Sequence, residues 1–231
     1  MPFLLILNHY NLQFMRKNTF GVLILSLVFI SCSKNNNDDV ETANSYLSIT
    51  PGQIRTFENK DSISGTLNTI VQTSSNRDTA VGTRSYHVFD NSDGSKEYFA
   101  LSGNDYYTLF NLPAALSTVP VELLYLKANG TVRTSWSPNF SFNVPGLPIP
   151  VPVVFTHTIK ETGLNKTTGS KNHTNVIRVE TKITSPLLSI NSDIQSYCAP
   201  KYGVVHMTTF IQVATAGINI STRRTLINAN F

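Results

Sequence analysis

From Tyr46 onward apolar and polar residues alternate with a period of two, the pattern of strands that bury one face. In residues 176–183, Ile177, Val179, Thr181 and Ile183 share one side, while Arg178, Glu180 and Lys182 share the other. A one-sided strand of this kind belongs to an antiparallel sheet with one wet face. Residues 84–89 and 96–101 flank the Gly-containing loop 90–95, which predicts a hairpin. Residues 123–127 and 131–136 flank Asn129-Gly130, a dipeptide that favours tight hairpin turns. Residues 204–213 and 218–227 flank 214–217 in the same manner. Helix is confined to residues 111–117, where a proline near the start and two alanines predict a turn or two.

These elements predict one antiparallel β domain over residues 46–231, with about ten strands. That number exceeds what an open twisted sheet holds easily, so the sheet is expected to curl or split. The expected fold is all-β, an antiparallel sheet strongly curved into an incomplete barrel with an apolar concave side. A β-sandwich with both inner faces sealed is the alternative. His157 shares its strand face with Val153, Phe155 and Ile159, which places it in the core or on a cavity wall. Val204, His206 and Phe210 fall on one face by the same parity, with Val204 and Phe210 expected as apolar lining.

Residues 144–155 break the pattern. Pro145, Pro148, Pro150 and Pro152 oppose regular ladder pairing, so the chain is expected to run extended, with Leu147, Ile149 and Val151 exposed. Such a strip is either a crossover that caps an edge or an apolar lip over a cavity. On the second reading, Leu147, Ile149, Val151, Phe155 and His157 are the candidate ligand contacts.

Composition narrows the function classes. Charged residues are 14% of the chain, against about 25% in an average soluble domain. Ser, Thr and Asn together supply 72 of 231 residues, so the surface is polar and mostly uncharged. The formal net charge is +4, but Arg16 and Lys17 precede Cys32 without a compensating acid, and the remainder carries only +2. No basic stripe interleaved with aromatics is present, which argues against nucleic acid as a partner.

The first residues read as an export signal. Arg16-Lys17 is followed by the uncharged run 20–30, too short as a helix for a bilayer core of about 30 Å. The run ends in Ile30-Ser31-Cys32, which resembles the lipobox of bacterial lipoproteins. In that family the cysteine becomes the acylated N-terminus. The stretch 31–39, SCSKNNNDD, further resembles the start of lipoproteins from the Bacteroidota. The resemblance implies a signal peptide over 1–31, lipidation of Cys32 and a flexible polar tether over 32–45. Met15 is the natural start on this reading, with residues 1–14 a mis-assigned upstream start. It also implies anchoring at the outer membrane, on either its periplasmic or its surface side.

With Cys32 acylated, Cys198 has no disulfide partner, and its setting Ser-Tyr-Cys-Ala-Pro predicts a buried structural thiol. Residues 197–207 resemble an Ala-Pro-x-x-Gly-Val-Val turn and strand found in uncharacterised β-rich bacterial lipoproteins, which implies no active site. His87, His157, His173 and His206 show no metal-ligand spacing. With Gly94 in the sixth place of a calcium loop, the first place falls on Phe89, so that pattern fails. No phosphate loop, nucleophile elbow or paired-cysteine motif is present. No catalytic residue, metal or cofactor is expected. The sequence therefore predicts a non-catalytic, membrane-anchored binding module for an apolar ligand. The alternative is a sealed envelope protein that contacts another protein or a glycan.

Overall fold

A computed structural model describes residues 45–110, 120–143 and 149–231. Cys32, Leu147 and the expected helical turn at 111–117 lie outside the described residues. The strands are β1 (Ile54–Asp61), β2 (Leu67–Val81), β3 (Arg84–Asn91), β4 (Lys96–Ser102), β5 (Asp105–Phe110), β6 (Val121–Lys127), β7 (Ser135–Trp136), β8 (Asn139–Phe142), β9 (Val151–Thr168), β10 (Lys171–Thr184), β11 (Asn191–Ala199), β12 (Gly203–Val213) and β13 (Ile218–Ala229). All thirteen belong to one antiparallel sheet, in the order β6-β5-β4-β3-β2-β1-β13-β12-β11-β10-β9-β7, with β8 also on β9. The first and last strands pair at the middle of the sheet, and each half then runs outward as a meander.

The sandwich alternative is therefore overturned, because one ladder joins every strand and no second sheet exists among the described residues. Nor is a barrel closed: no backbone ladder joins β6 to β7 among the described residues. The sheet is open, yet it cannot be flat. Eleven ladder steps would set the edges of a flat sheet about 50 Å apart. Instead, Trp136 Nε1 on β7 donates to the Leu124 carbonyl on β6 at 2.6 Å.

The chain between these edges corrects the expected Asn-Gly hairpin. Residues 128–134 do not return along β6. They cross to β9, where Arg133 N donates to Ile159 O at 2.8 Å and Ile159 N donates to Thr134 O at 2.9 Å. Gly130 makes the crossing possible, because a Cβ there would sit 2.5 Å from Ile159 Cδ1. Tertiary contact with a fully buried isoleucine outweighs the local turn preference.

Periodicity holds where strands are uninterrupted. On β10, Ile177, Val179, Thr181 and Ile183 are buried, as the alternation predicts. On β12 a bulge shifts the register between the pairs Tyr197–His206 and Cys198–Val204, leaving Val205 as the extra residue. Val204 and Met207 then face inward, and Ile211 and Val213 are buried. Phe210 moves to the opposite parity, because an inserted residue reverses every side chain beyond it. Val151 is also corrected. It is fully buried at the start of β9, opposite Phe142 of β8. Pro152 is tolerated because β10 pairs β9 only as far as Val154, so no partner there needs its missing N–H. Ile149, 56% exposed, does lie at the surface.

The core is divided. One cluster gathers Val151, Val153, Phe155, Ile183, Ile211 and Val213 with Leu123 from the other half of the sheet. A second joins Leu47, Phe89, Tyr106 and Leu126 to Ile159, Ile177, Val179 and Cys198. A third centres on Phe57, Val176, Val205 and Leu226. Each fully buried side chain of this size contributes roughly 1.5–3 kcal/mol.

Gly130→Ala should destabilise the protein by about 1–3 kcal/mol, the cost of overpacking. In urea unfolding, adding Ile159→Val should recover part of that loss by removing Cδ1, a positive coupling between the two sites. Simple additivity would show that Gly130 serves another purpose.

Candidate functional site

A cavity of about 330 Å³ separates the core clusters and draws its walls from ten of the thirteen strands. Leu123, Phe155 and Ile194 line it from the first cluster, Leu47 from the second and Phe57 from the third. Leu47 comes from the segment before β1. That segment is tied to the β11–β12 turn, with Lys201 N donating to Ser45 O at 2.6 Å and Ser48 N to Lys201 O at 2.9 Å. The stretch that directly follows the expected tether thus contributes to the cavity wall.

Of the expected ligand contacts, Phe155 and His157 line this cavity together with Val204. Ile149 and Val151 do not, and neither do Val153, Ile159 or Phe210. His157 is 3% exposed and stacks on Trp136, with ring centroids 5.3 Å apart. Its Nδ1 bonds Thr181 Oγ1 at 2.8 Å, and Nε2 is buried without a partner. Burial pushes its pKa down to about 4, so the imidazole is neutral at physiological pH.

Several polar groups of the wall escaped the sequence reading. Gln72 on β2 is 1% exposed; its Oε1 accepts from Arg55 Nη1 at 3.2 Å. Its Nε2 is buried and unpartnered. Arg55 is also buried, and its guanidinium lies 4.6 Å from the centre of the Phe89 ring. On β13, Arg224 lies over the Phe57 ring at 4.0 Å and gives Nη1 to Glu97 Oε1 of β4 at 2.7 Å. Its Nε and Nη2 have no partner. The hydroxyl of Tyr125 is likewise buried and unpartnered, and desolvation holds its pKa well above the ordinary value. The signal for Arg55 and Arg224 lies in strand parity, since each shares a strand face with an apolar residue two positions on, Phe57 and Leu226.

A second arrangement was also missed. Ser74 Oγ lies 2.9 Å from His87 Nε2, and His87 Nδ1 lies 2.9 Å from Asp78 Oδ1. The shift in β2–β3 register between Ser74 and Asp78 brings them together. This is the order of groups that activates a serine nucleophile. Here the polarity is inverted: Ser74 is buried and within 3.0 Å of Ile49 O, while Asp78 is the exposed end, at 62%. Neither Ser74 nor His87 lines the cavity. The row locks the bulge of a hairpin.

His206 lies outside the cavity lining, bonded to Thr225 Oγ1 at 3.0 Å. Its pKa is lowered to about 4 by desolvation, then by Lys166 and Arg223. His173 is buried, bonds Thr168 Oγ1 at 2.9 Å and lines a smaller polar cleft. Cys198 is buried, and burial pushes its thiol up to about 12, an inert form. In the loop at Gly94, Asp93 accepts from Ser95 and Asp90 pairs with Arg77, so both carboxylates are engaged. Among the described residues no group of three His, Cys, Asp or Glu is placed to hold a metal ion.

No protein-family model matches this chain, and no curated protein matches it. Two solved structures are similar in outline. One is called a "putative lipoprotein", from Parabacteroides distasonis, with 9% identity, a TM-score of 0.47, and coverage of 81% of this chain and 99% of the other. The second is called a "putative exported protein with YmcC-like fold", from Bacteroides fragilis, with 11% identity, a TM-score of 0.42, and coverage of 81% and 100%. Likenesses at this level do not say what this chain does.

The depressed pKa of His157 makes stability depend on pH. Its folded value lies below the unfolded one of about 6.5, so the unfolded chain binds a proton first as pH falls. Stability is unaffected above about pH 6.5 and declines towards pH 4, by up to about 3 kcal/mol from this group. His206, only partly buried, adds a smaller effect of the same sign. In urea unfolding at pH 7 and pH 4.5, His157→Asn should lose less stability on acidification than the wild type. Equal losses would mean that His157 titrates normally.

Proposed function

We propose that this chain is an exported, lipid-anchored and non-catalytic binding module, whose sheet wraps as an incomplete barrel around a site for an apolar ligand. The observation that carries the reading is the cavity of about 330 Å³, apolar over most of its wall, at the size where ligand sites begin. A close-packed domain has one contiguous core with few voids. Here three clusters surround open space instead. The competing idea, a sealed interaction protein, needs the interior to be full. The absence of catalysis is supported by the inverted Ser74–His87–Asp78 row, whose serine faces the protein interior.

Anchoring rests on the sequence around Cys32. From there to residue 45 the tether reaches at most about 45 Å, which holds the domain close to a membrane surface. A carrier at that distance exchanges apolar ligands with the bilayer without crossing much water. Metabolic labelling with an alkyne palmitate should mark the wild type and leave Cys32→Ala unmarked. Unlabelled wild type would remove the anchor from the proposal.

The cavity is tested directly with the mature protein in amphipol. The uncharged probe N-phenyl-1-naphthylamine should bind the wild type. Met207→Trp, which fills the cavity from β12, should weaken binding at least tenfold while preserving the melting transition. A wild type that neither binds the probe nor carries an apolar adduct in native mass spectrometry would show a closed interior and sink the carrier.

A further inference from the structure

We propose that the end of the sheet where the chain enters is a docking face for an anionic lipid surface, built from Lys127, Arg133, Lys166, Lys171 and Lys201. It goes beyond the reading above, because it needs neither the cavity nor an acyl chain. Residues 45–48 meet the β11–β12 turn, where Lys201 N donates to Ser45 O and Ser48 N to Lys201 O. Alternate turns of an antiparallel meander share an end. The β2–β3, β4–β5 and β9–β10 turns therefore lie at this entry end, and the β1–β2, β3–β4, β10–β11 and β12–β13 turns at the far end.

The two ends differ in how their cations are held. Seven Lys and Arg side chains of the domain, Arg84 and Arg178 among them, pair with a carboxylate. None of the five at the entry end is in an ion pair with Asp or Glu among the described residues. Four lie over aromatic rings instead. Lys166 Nζ is 4.1 Å from the centre of the Tyr197 ring and Lys171 Nζ 4.4 Å from that of Tyr202. Lys201 Nζ is 5.4 Å from Phe231 and Lys127 Nζ 5.9 Å from Trp136. Lys171 also donates to Phe231 O at 3.2 Å. A ring steadies an ammonium through its quadrupole and, unlike a carboxylate, leaves the charge uncancelled. The acids at this end are Asp78, which is bonded to His87, and Asp105, which stands opposite Lys127 in the β5–β6 ladder. The surplus therefore lies on Arg133, Lys166, Lys171 and Lys201. At the far end, Lys60 and Lys96 are matched by Asp61 and Asp93.

Charge and chain entry together select the partner. Arg133, Lys171 and Lys201 are exposed and Lys166 is half-buried, so phosphates can reach them. Aromatic rings settle at the headgroup level of a bilayer, where basic side chains meet anionic lipids. Apolar tips occur at both ends, Val81 and Val132 here against Ile63 and Leu67 there, so charge is what distinguishes the two. The chain enters at the basic end, which turns that end towards any membrane the tether reaches. The tether carries Asp38, Asp39 and Glu41 against Lys34 and supplies no attraction of its own.

The test is co-sedimentation of the mature protein carrying Cys32→Ala, so that no acyl chain contributes. The vesicles are phosphatidylglycerol with phosphatidylethanolamine, or phosphatidylcholine alone. Binding to the anionic vesicles should be at least about tenfold tighter, and should weaken severalfold between about 50 and about 300 mM salt as the Debye length shortens. Lys166→Gln/Lys171→Gln/Lys201→Gln should lose at least about tenfold in affinity. Lys60→Gln/Lys182→Gln/Arg223→Gln, an equal loss of charge towards the far end, should leave binding unchanged. Arginine at positions 166, 171 and 201 should preserve binding, which separates charge from any effect on folding. Equal losses from the two glutamine triples would reduce the effect to net charge and overturn the face. Equal binding to both vesicle types, or none to either, overturns the anionic lipid surface. Binding that appears only after Asp38, Asp39 and Glu41 are changed to amides gives the face to the tether, and overturns the proposal as well.

Discussion

A sheet with one apolar face must cover that face, and among the described residues no α-helix exists to cover this one. The sheet covers itself instead. Leu123 and Leu126 on one outer arm meet Phe155 and Ile159 on the other, in clusters that only the two halves together complete. Trp136 fixes the meeting. It donates to a carbonyl of β6, belongs to the ladder with β9, and stacks its ring on His157. Pairing of β1 with β13 does the complementary work at the centre, turning two meanders into one continuous surface. No disulfide contributes to this among the described residues, where Cys198 is free and buried.

Self-coverage explains why the interior is not full. Two arms of one sheet are connected on a single path, so their separation is set by how the sheet bends as well as by side-chain fit. Rings pack closely at the Trp136 contact and at the β8–β9 end, where Phe140 stacks on Phe142 and meets Phe155 edge to face. Between those zones lies the cavity. Its polar atoms are the consequence of strand parity: an inward position filled by Gln72, His157 or Arg224 has to face this space. Desolvating such groups without partners costs free energy, of the order of 1–3 kcal/mol per neutral group. A fold that carries several of them around one cavity is less stable than it needs to be for its architecture alone.

How much of this was legible in the sequence depends on distance along the chain. The β10 alternation and the β3–β4 hairpin are local, and both were readable from period two and a Gly-containing loop. His157 and Phe155 were placed on the cavity by the same parity argument, because β9 is uninterrupted between them. Phe210 failed through one extra residue at Val205, which nothing local announces. Val151 departs from the expectation because a proline excludes pairing on one side of a strand only, and β10 stops at Val154 and asks nothing of Pro152. The Asn129-Gly130 turn failed for a tertiary reason, the close passage over Ile159. Ser74, Asp78 and His87 lie up to thirteen residues apart, and only the irregular β2–β3 register aligns them. Long-range registers of this kind are decided by packing between strands.

The Arg224–Glu97 pair brings these strands of reasoning to one point. It joins β13 to β4, strands from opposite halves of the sheet, so it could be read as a clasp alone. As a clasp it is poorly built. An ion pair removed from water has to recover two desolvation costs, and it does so only when its remaining donors are satisfied. Glu97 has a second donor in Asn91 Nδ2 at 3.2 Å, but Arg224 has one bonded nitrogen and two buried without partners. A pair of apolar side chains would hold the same strands together at lower cost. The imbalance lies entirely on the cation.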